Sequence, residues 1–327
     1  MKQYDLIVIG DLVADIIMPV TKLPLRPNEH GWADGLFTEL GGACTTLVAA
    51  RRFDLSIATL AMLGDDSYGQ QVTQMLADEG VDVTYVETLE GRQTVLCVVV
   101  TDKAGQHVFL GIKDDKPPEH CPPSWKEIVP QARSLFTNGY TLRDLLNPHD
   151  VLDLLEIARK QKIPIFFDPG PSIEYFGDDI LTQVLKLTDI LLLTIEEAEY
   201  LVNDKGAKAA IALRTFGPSV VVLKAGAEGC YVAAEDIDIY HPSFDVEVVD
   251  TVGAGDAFVA AFIAGYLRGG DWRECAALAN AMGAAVVATQ GAGRCVPDFE
   301  QIVKILGDDP AGRLIKDLVP TSDTFQK

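Results

Sequence analysis

The residues Asp250-Thr251-Val252-Gly253-Ala254-Gly255-Asp256-Ala257-Phe258 join a small-residue turn, an acid and an apolar run. Residues 254–267 are apolar nearly all round, which predicts a buried helix. The first turn of a helix offers free backbone N–H groups and the positive end of the helix dipole, so it attracts an anion. Gly253 and Gly255 let a ligand approach the backbone closely. Asp256 lies in the same turn, where it could take a proton beside that anion. An anion-holding turn next to a proton acceptor is what phosphoryl transfer to an alcohol requires. A carboxylate in that position also stabilises a helix by about 0.3–1 kcal/mol without doing any chemistry.

The rest of the chain must hold this turn in place. Residues 4–10, 56–64, 134–139, 163–168, 189–194 and 219–225 are short apolar runs that read as buried parallel strands. Helical patterns lie between several of them, as at 151–161 and 196–202, and another helix spans 272–289. Strands alternating with helices predict an α/β fold, a mainly parallel sheet covered on both faces. Ligands of such sheets bind at the carboxyl ends of strands. Gly10, Gly139, Asp168 and Thr194 fall at those ends. Two stretches break the alternation, 12–40 and 91–116. They read as short β pieces, including a hairpin of 93–101 with 106–111, and predict a small β-sheet lid beside the main body. No helix pattern covers that sheet, so one apolar face must close on substrate or meet a second subunit. Residues 116–123 read as a stiff linker, and the polar end, 308–327, as a loosely ordered tail.

Composition excludes several function classes. The chain has 327 residues, 48% of them hydrophobic, and a net charge of −21. That acidity, with no basic run, argues against nucleic acid and against an anionic membrane as partners. No apolar run reaches membrane length, and residues 1–10 read as a strand rather than a basic leader. Six scattered cysteines with no C-x-x-C pair fit a reducing cytoplasm. The five histidines show no metal-ligand spacing. A Walker loop, the protein-kinase motif set and a Gly-x-Ser-x-Gly elbow are all missing, and the glycine turn lacks the third glycine of a dinucleotide fingerprint.

From residue 4 to residue 306 the sequence resembles the ribokinase-like, PfkB-type carbohydrate kinases. The resemblance rests on four elements. These are the 250–258 stretch, the Gly41-Gly42 pair, Gly64-Asp65-Asp66-Ser67-Tyr68-Gly69, and Glu79-Gly80-Val81-Asp82. It implies one ribokinase-like three-layer domain over 1–327 and transfer of the ATP γ-phosphate to a hydroxyl of a small sugar. It implies that Asp256 is the base and that Gly253, Ala254 and Gly255 form the anion hole. Asp15, Gly41, Gly42 and Thr46 match substrate positions, and Lys224, Gly226, Gly229, Asn280 and Thr194 match ATP positions. Glu197 matches a glutamate that supports Mg²⁺ through water, and Asp250 a position near the monovalent-cation (K⁺) site of potassium-activated relatives. Asp168, in Asp168-Pro169-Gly170-Pro171, matches a motif with a less defined role. A homodimer through the lid follows from the uncovered sheet. Two residues depart from the pattern, since Thr46 and Thr194 stand where asparagines are usual. They leave open a nucleoside kinase of the same fold and a catalytically silent binding homologue.

Overall fold

The computed structural model describes residues 2–318, apart from Glu29, Gly105, Phe176, Gly177 and Asp236. Among these residues the strands are β1 (Tyr4–Ile9), β2 (Leu12–Pro19), β3 (Phe37–Gly42), β4 (Ile57–Gly64), β5 (Val86–Leu89), β6 (Leu96–Thr101), β7 (His107–Ile112), β8 (Ala132–Asn138), β9 (Ile165–Asp168), β10 (Ile190–Thr194), β11 (Val220–Lys224), β12 (Cys230–Ala234) and β13 (Ile237–His241). Nine of them form one sheet in the order β13-β12-β11-β10-β9-β8-β1-β4-β5. Pairing is parallel from β11 through to β5, and antiparallel only at β11–β12 and β12–β13.

Alternation along β1 shows why both faces must be covered. Leu6 and Val8 enter one core, Ile7 and Ile9 the other, and all four are fully buried. Side chains of this kind contribute about 1.5–3 kcal/mol each when removed from water. One core is closed by the helices Cys44–Arg52, Ala254–Leu267 and Trp272–Val287. The other is closed by Pro148–Lys160, Ile195–Val202 and Ala207–Arg214, among others. The helix Ala254–Leu267 is buried from Ala257 to Gly265, as its all-round apolar sequence requires.

The lid is a separate four-stranded sheet in the order β3-β2-β6-β7. The β6–β7 hairpin is antiparallel, while β2 pairs with β6 in parallel. Paired residues share a face, so Asp15, Glu39, Cys97, Phe109 and His107 lie on one side of it. Val108, Leu110 and Ile112 lie on the other and are exposed. The lid and the body meet at the start of β2 and the end of β3. Only Gly10-Asp11 separates β1 from β2, and β3 runs into the helix Cys44–Arg52 through Ala43. There the Ala43 N–H donates to the Asp11 carbonyl at 2.9 Å.

The end of the chain differs from the sequence expectation. Residues 310–318 are not loose but form helical turns, with Ala311, Leu314 and Ile315 buried in the first core. Those apolar residues recur at helical spacing, a signal hidden by the polar composition around them. Residues 319–327 of the expected tail lie outside the described residues. Among the described residues no helix is long and apolar enough to cross a membrane.

Candidate active site

Gly253 precedes the helix Ala254–Leu267 with φ +76°, a left-handed conformation that favours glycine. A Cβ there would also stand 3.0 Å from Ala292 Cβ and from Thr45 Cγ2. The Ala257 N–H bonds the Gly253 carbonyl at 3.0 Å, so the Gly255 and Asp256 amides precede the helical ladder. The Lys224 ammonium reaches the same place, 3.7 Å from where a Cβ on Gly255 would stand. Turn amides and ammonium together make the positive end of the site.

Carboxylates make the opposite side. Burial pushes Asp256 up to about 7, with repulsion from Asp168, Asp11 and Asp15 adding to it and Lys224 opposing. Burial likewise raises Asp15 to about 7, helped by Asp11 and Glu39. The glycine pair on β3 is explained by these acids. A Cβ on Gly41 would fall 2.1 Å from Asp15 Oδ1, so the room beside Gly41 belongs to the Asp15 carboxylate. Gly42 turns left-handed (φ +57°) against Asp11, whose carbonyl and carboxylate would each lie 2.6 Å from a Cβ.

At the ends of β9, β10 and β11 the charges interlock. Lys224 Nζ donates to Asp168 Oδ2 at 2.5 Å, and the Gly170 N–H donates to Asp168 Oδ1 at 3.0 Å. Burial works against the Lys224 charge, but Asp168 and Glu197 hold its pKa above the usual lysine range. Glu197 is raised by burial and by Asp168, against the pull of Lys224. Thr194 and Glu197 form a reciprocal cap on the helix Ile195–Val202. The Thr194 N–H donates to Glu197 Oε2 at 2.8 Å, and the Glu197 N–H to Thr194 Oγ1 at 3.2 Å. The threonine hydroxyl is thus engaged in holding the glutamate.

Beside Lys224 opens a cavity of about 460 Å³, lined by Lys224, Gly226, Gly255, Phe258, Asn280 and Val287 among others. Its size and its apolar walls with a few polar groups suit a nucleotide. Asn280 is buried there and serves its wall, its Nδ2 donating to the His241 and Pro242 carbonyls at 3.1 Å each. Gly229 also lines this cavity and is set by backbone, since a Cβ would fall 2.1 Å from the His241 carbonyl oxygen. Thr46 is fully buried, its hydroxyl 3.4 Å from the Asp256 carbonyl, so it lies beneath the helix carrying the acid rather than on an open wall. Asp250 accepts the Val252 N–H on Oδ1 and the Gly291 N–H on Oδ2, each at 3.0 Å. His107 of the lid stands beside it, with Nε2 3.2 Å from Oδ1.

The model of the pfkB family carbohydrate kinases matches residues 3–298. The chain belongs to this family. Among curated proteins it is 28% identical to an ATP-dependent ribose-1-phosphate kinase of Halopiger xanaduensis, over 91% of this chain and 97% of that one. It is 26% identical to a nucleoside kinase of Methanothermobacter thermautotrophicus, over 93% and 96%. It is 24% identical to the ribokinase of Haemophilus influenzae, over 92% and 98%. The fold is that of the Arabidopsis thaliana ribokinase complexed with ribose and ATP. The TM-score is 0.79 at 24% identity, covering 93% of this chain and 99% of that one.

In this family member the structure brings Asp15 and Glu197 to either side of a charge network that runs through Asp256 and Lys224 beside the glycine turn. Sequence reasoning missed Asp11, which is buried and raised to about 6 by burial, against the bond from Asn138. Asn138 Nδ2 donates to Asp11 Oδ1 at 2.5 Å, and its own Oδ1 accepts the Thr141 N–H at 3.0 Å. The available signal was an acid directly after the glycine that ends β1. Its partner at the end of β8 became visible only through the β1–β8 pairing.

Proposed function

We propose that this pfkB family carbohydrate kinase transfers the γ-phosphoryl group of ATP to a hydroxyl of a small, uncharged sugar. One observation carries the reading. A half-buried acid raised to about 7 sits in the first turn of a helix whose Gly255 and Asp256 amides precede the helical ladder, next to a lysine held by Asp168. ATP would lie in the cavity by Lys224 and Asn280, its terminal phosphate at the amides of Gly253, Ala254 and Gly255. The sugar would lie between Asp15 and Asp256. Asp15 accepts hydrogen bonds from sugar hydroxyls and Asp256 takes the proton of the attacking one. The amides and Lys224 receive the charge that builds on the phosphoryl oxygens. Asp11, Asp15, Glu39 and Asp256 influence one another, and so dense a set of carboxylates favours a neutral polyol over a sugar phosphate.

Bound Mg²⁺ would neutralise phosphate charge. Among the described residues no cluster of three or more acids, histidines or cysteines could hold a metal, so phosphate oxygens and water must supply most of its ligands. Glu197, with one oxygen engaged in the cap, suits support through water. A monovalent cation near Asp250 would draw mainly on backbone carbonyls. That carboxylate already accepts from Val252 and Gly291 and has His107 beside it, and no step here depends on such an ion. The reading includes a homodimer in which a second copy covers Val108, Leu110 and Ile112, and a cytoplasmic setting, where ATP is the donor and the six cysteines stay free.

The test is ADP release with ATP and Mg²⁺ against ribose, fructose, ribose 1-phosphate, adenosine and inosine, with Asp256→Asn alongside. Turnover of a free sugar that is lost in the variant supports the reading. Preference for a nucleoside or a sugar phosphate overturns the substrate class. Tight binding without turnover overturns the activity.

A further inference from the structure

We propose that His107 is a positioning residue that ties closure of the lid to the shape of the anion-binding turn. The inference rests on the phosphoryl-transfer reading above. His107 begins β7, on the same lid face as Asp15. Its Nε2 lies 3.2 Å from Asp250 Oδ1, and both side chains are nearly buried, 11% and 12% exposed. The ring stacks on Phe109, with centroids 5.9 Å apart and planes 13° apart, which fixes its direction.

Asp250 is the link. Its Oδ1 also takes the Val252 N–H, immediately before Gly253, and its Oδ2 takes the Gly291 N–H, next to the Ala292 that packs on Gly253. One carboxylate therefore grips the turn from both sides and is also where the lid touches it. A lid that lifts takes His107 away and opens the Asp250 carboxylate to water, which competes with the two amides and loosens its hold on them. A lid that closes restores it. The turn is then firm when acceptor is enclosed and slack when water has access, which favours transfer over hydrolysis.

Three proteins decide the matter: wild type, His107→Ala, and His107→Gln, whose amide places a donor near the position of Nε2. In His107→Ala, kcat for transfer falls about tenfold, while KM for ATP stays within about twofold. ATP hydrolysis without acceptor falls much less than transfer does. Hydrogen exchange speeds up at the Val252 and Gly291 amides as well as in β7. His107→Gln recovers most of both effects. Unchanged exchange at Val252 and Gly291 in a folded His107→Ala protein overturns the proposal, as does an equal loss of transfer and hydrolysis. If wild type transfers to no acceptor, the phosphoryl-transfer reading fails by itself, and the exchange measurement still decides whether His107 holds the turn.

Discussion

If Asp256 is the base, its environment sets the acid limb of the pH profile. Its ordinary value of 3.8 is raised to about 7, first by burial and then by Asp168, Asp11 and Asp15, with Lys224 pulling the other way. Such a group is about 90% ionised at pH 8 and about 10% at pH 6, so kcat/KM should fall about tenfold between them from this group alone. Asp15, also raised to about 7, must be charged to accept sugar hydroxyls well. Below pH 6 the log–log slope should therefore approach two in wild type. In Asp15→Asn the slope should drop to one. Its midpoint should move to lower pH, because one of the charges raising Asp256 is gone. Initial rates at sub-saturating sugar and saturating ATP in constant-ionic-strength buffers measure this, with Asp256→Asn reporting the residual rate, lower by about 10²–10⁴. A wild-type profile flat between pH 8 and 6, or a midpoint below pH 5, would refute the assignment of a buried, mutually repelling pair of acids to catalysis.

Other outcomes follow from the same geometry. Gly41→Ala must displace the Asp15 carboxylate, which lies 2.1 Å from the new Cβ. KM for sugar should rise at least tenfold with KM for ATP unchanged, as two-substrate kinetics would show. Asn280→Ala frees the His241 and Pro242 carbonyls, which should cost about 1–3 kcal/mol in urea unfolding and weaken ATP binding in calorimetry. Asp256→Asn should raise the melting temperature at pH 8. The folded pKa lies above the unfolded value, so the folded state binds more protons between pH 4 and 7 and loses stability as pH rises through that window. The gain should vanish near pH 4, and scanning calorimetry at both pH values checks the sign.

The turn and its acid were legible because their physics is local: a glycine before an apolar helix and a carboxylate in the first turn. The strands of the main sheet were legible as apolar runs, since both of its faces are covered. What could not be read depended on strand order. Asp11 meets Asn138 only because β8 lies beside β1, and His107 meets Asp250 only because the lid reaches over the body. The threonines were legible as departures from the family pattern but not in their effect. Thr194 caps a helix through its own glutamate, and Thr46 lies under the Asp256 helix. The docked segment 310–318 was masked by polar neighbours that face water.

Asp15 and Asp256, proposed to receive the sugar and to take its proton, lie on the lid sheet and on a helix of the body, which meet at Gly10-Asp11 and Ala43. Asp15 travels with the lid, while Asp256, the glycine turn and Lys224 stay with the body. Changes to β2, β3 or β6 can therefore alter which acceptor is admitted while leaving the phosphate-handling parts untouched. Such a division lets one phosphorylating engine be refitted for new alcohols by drift in a few dozen residues.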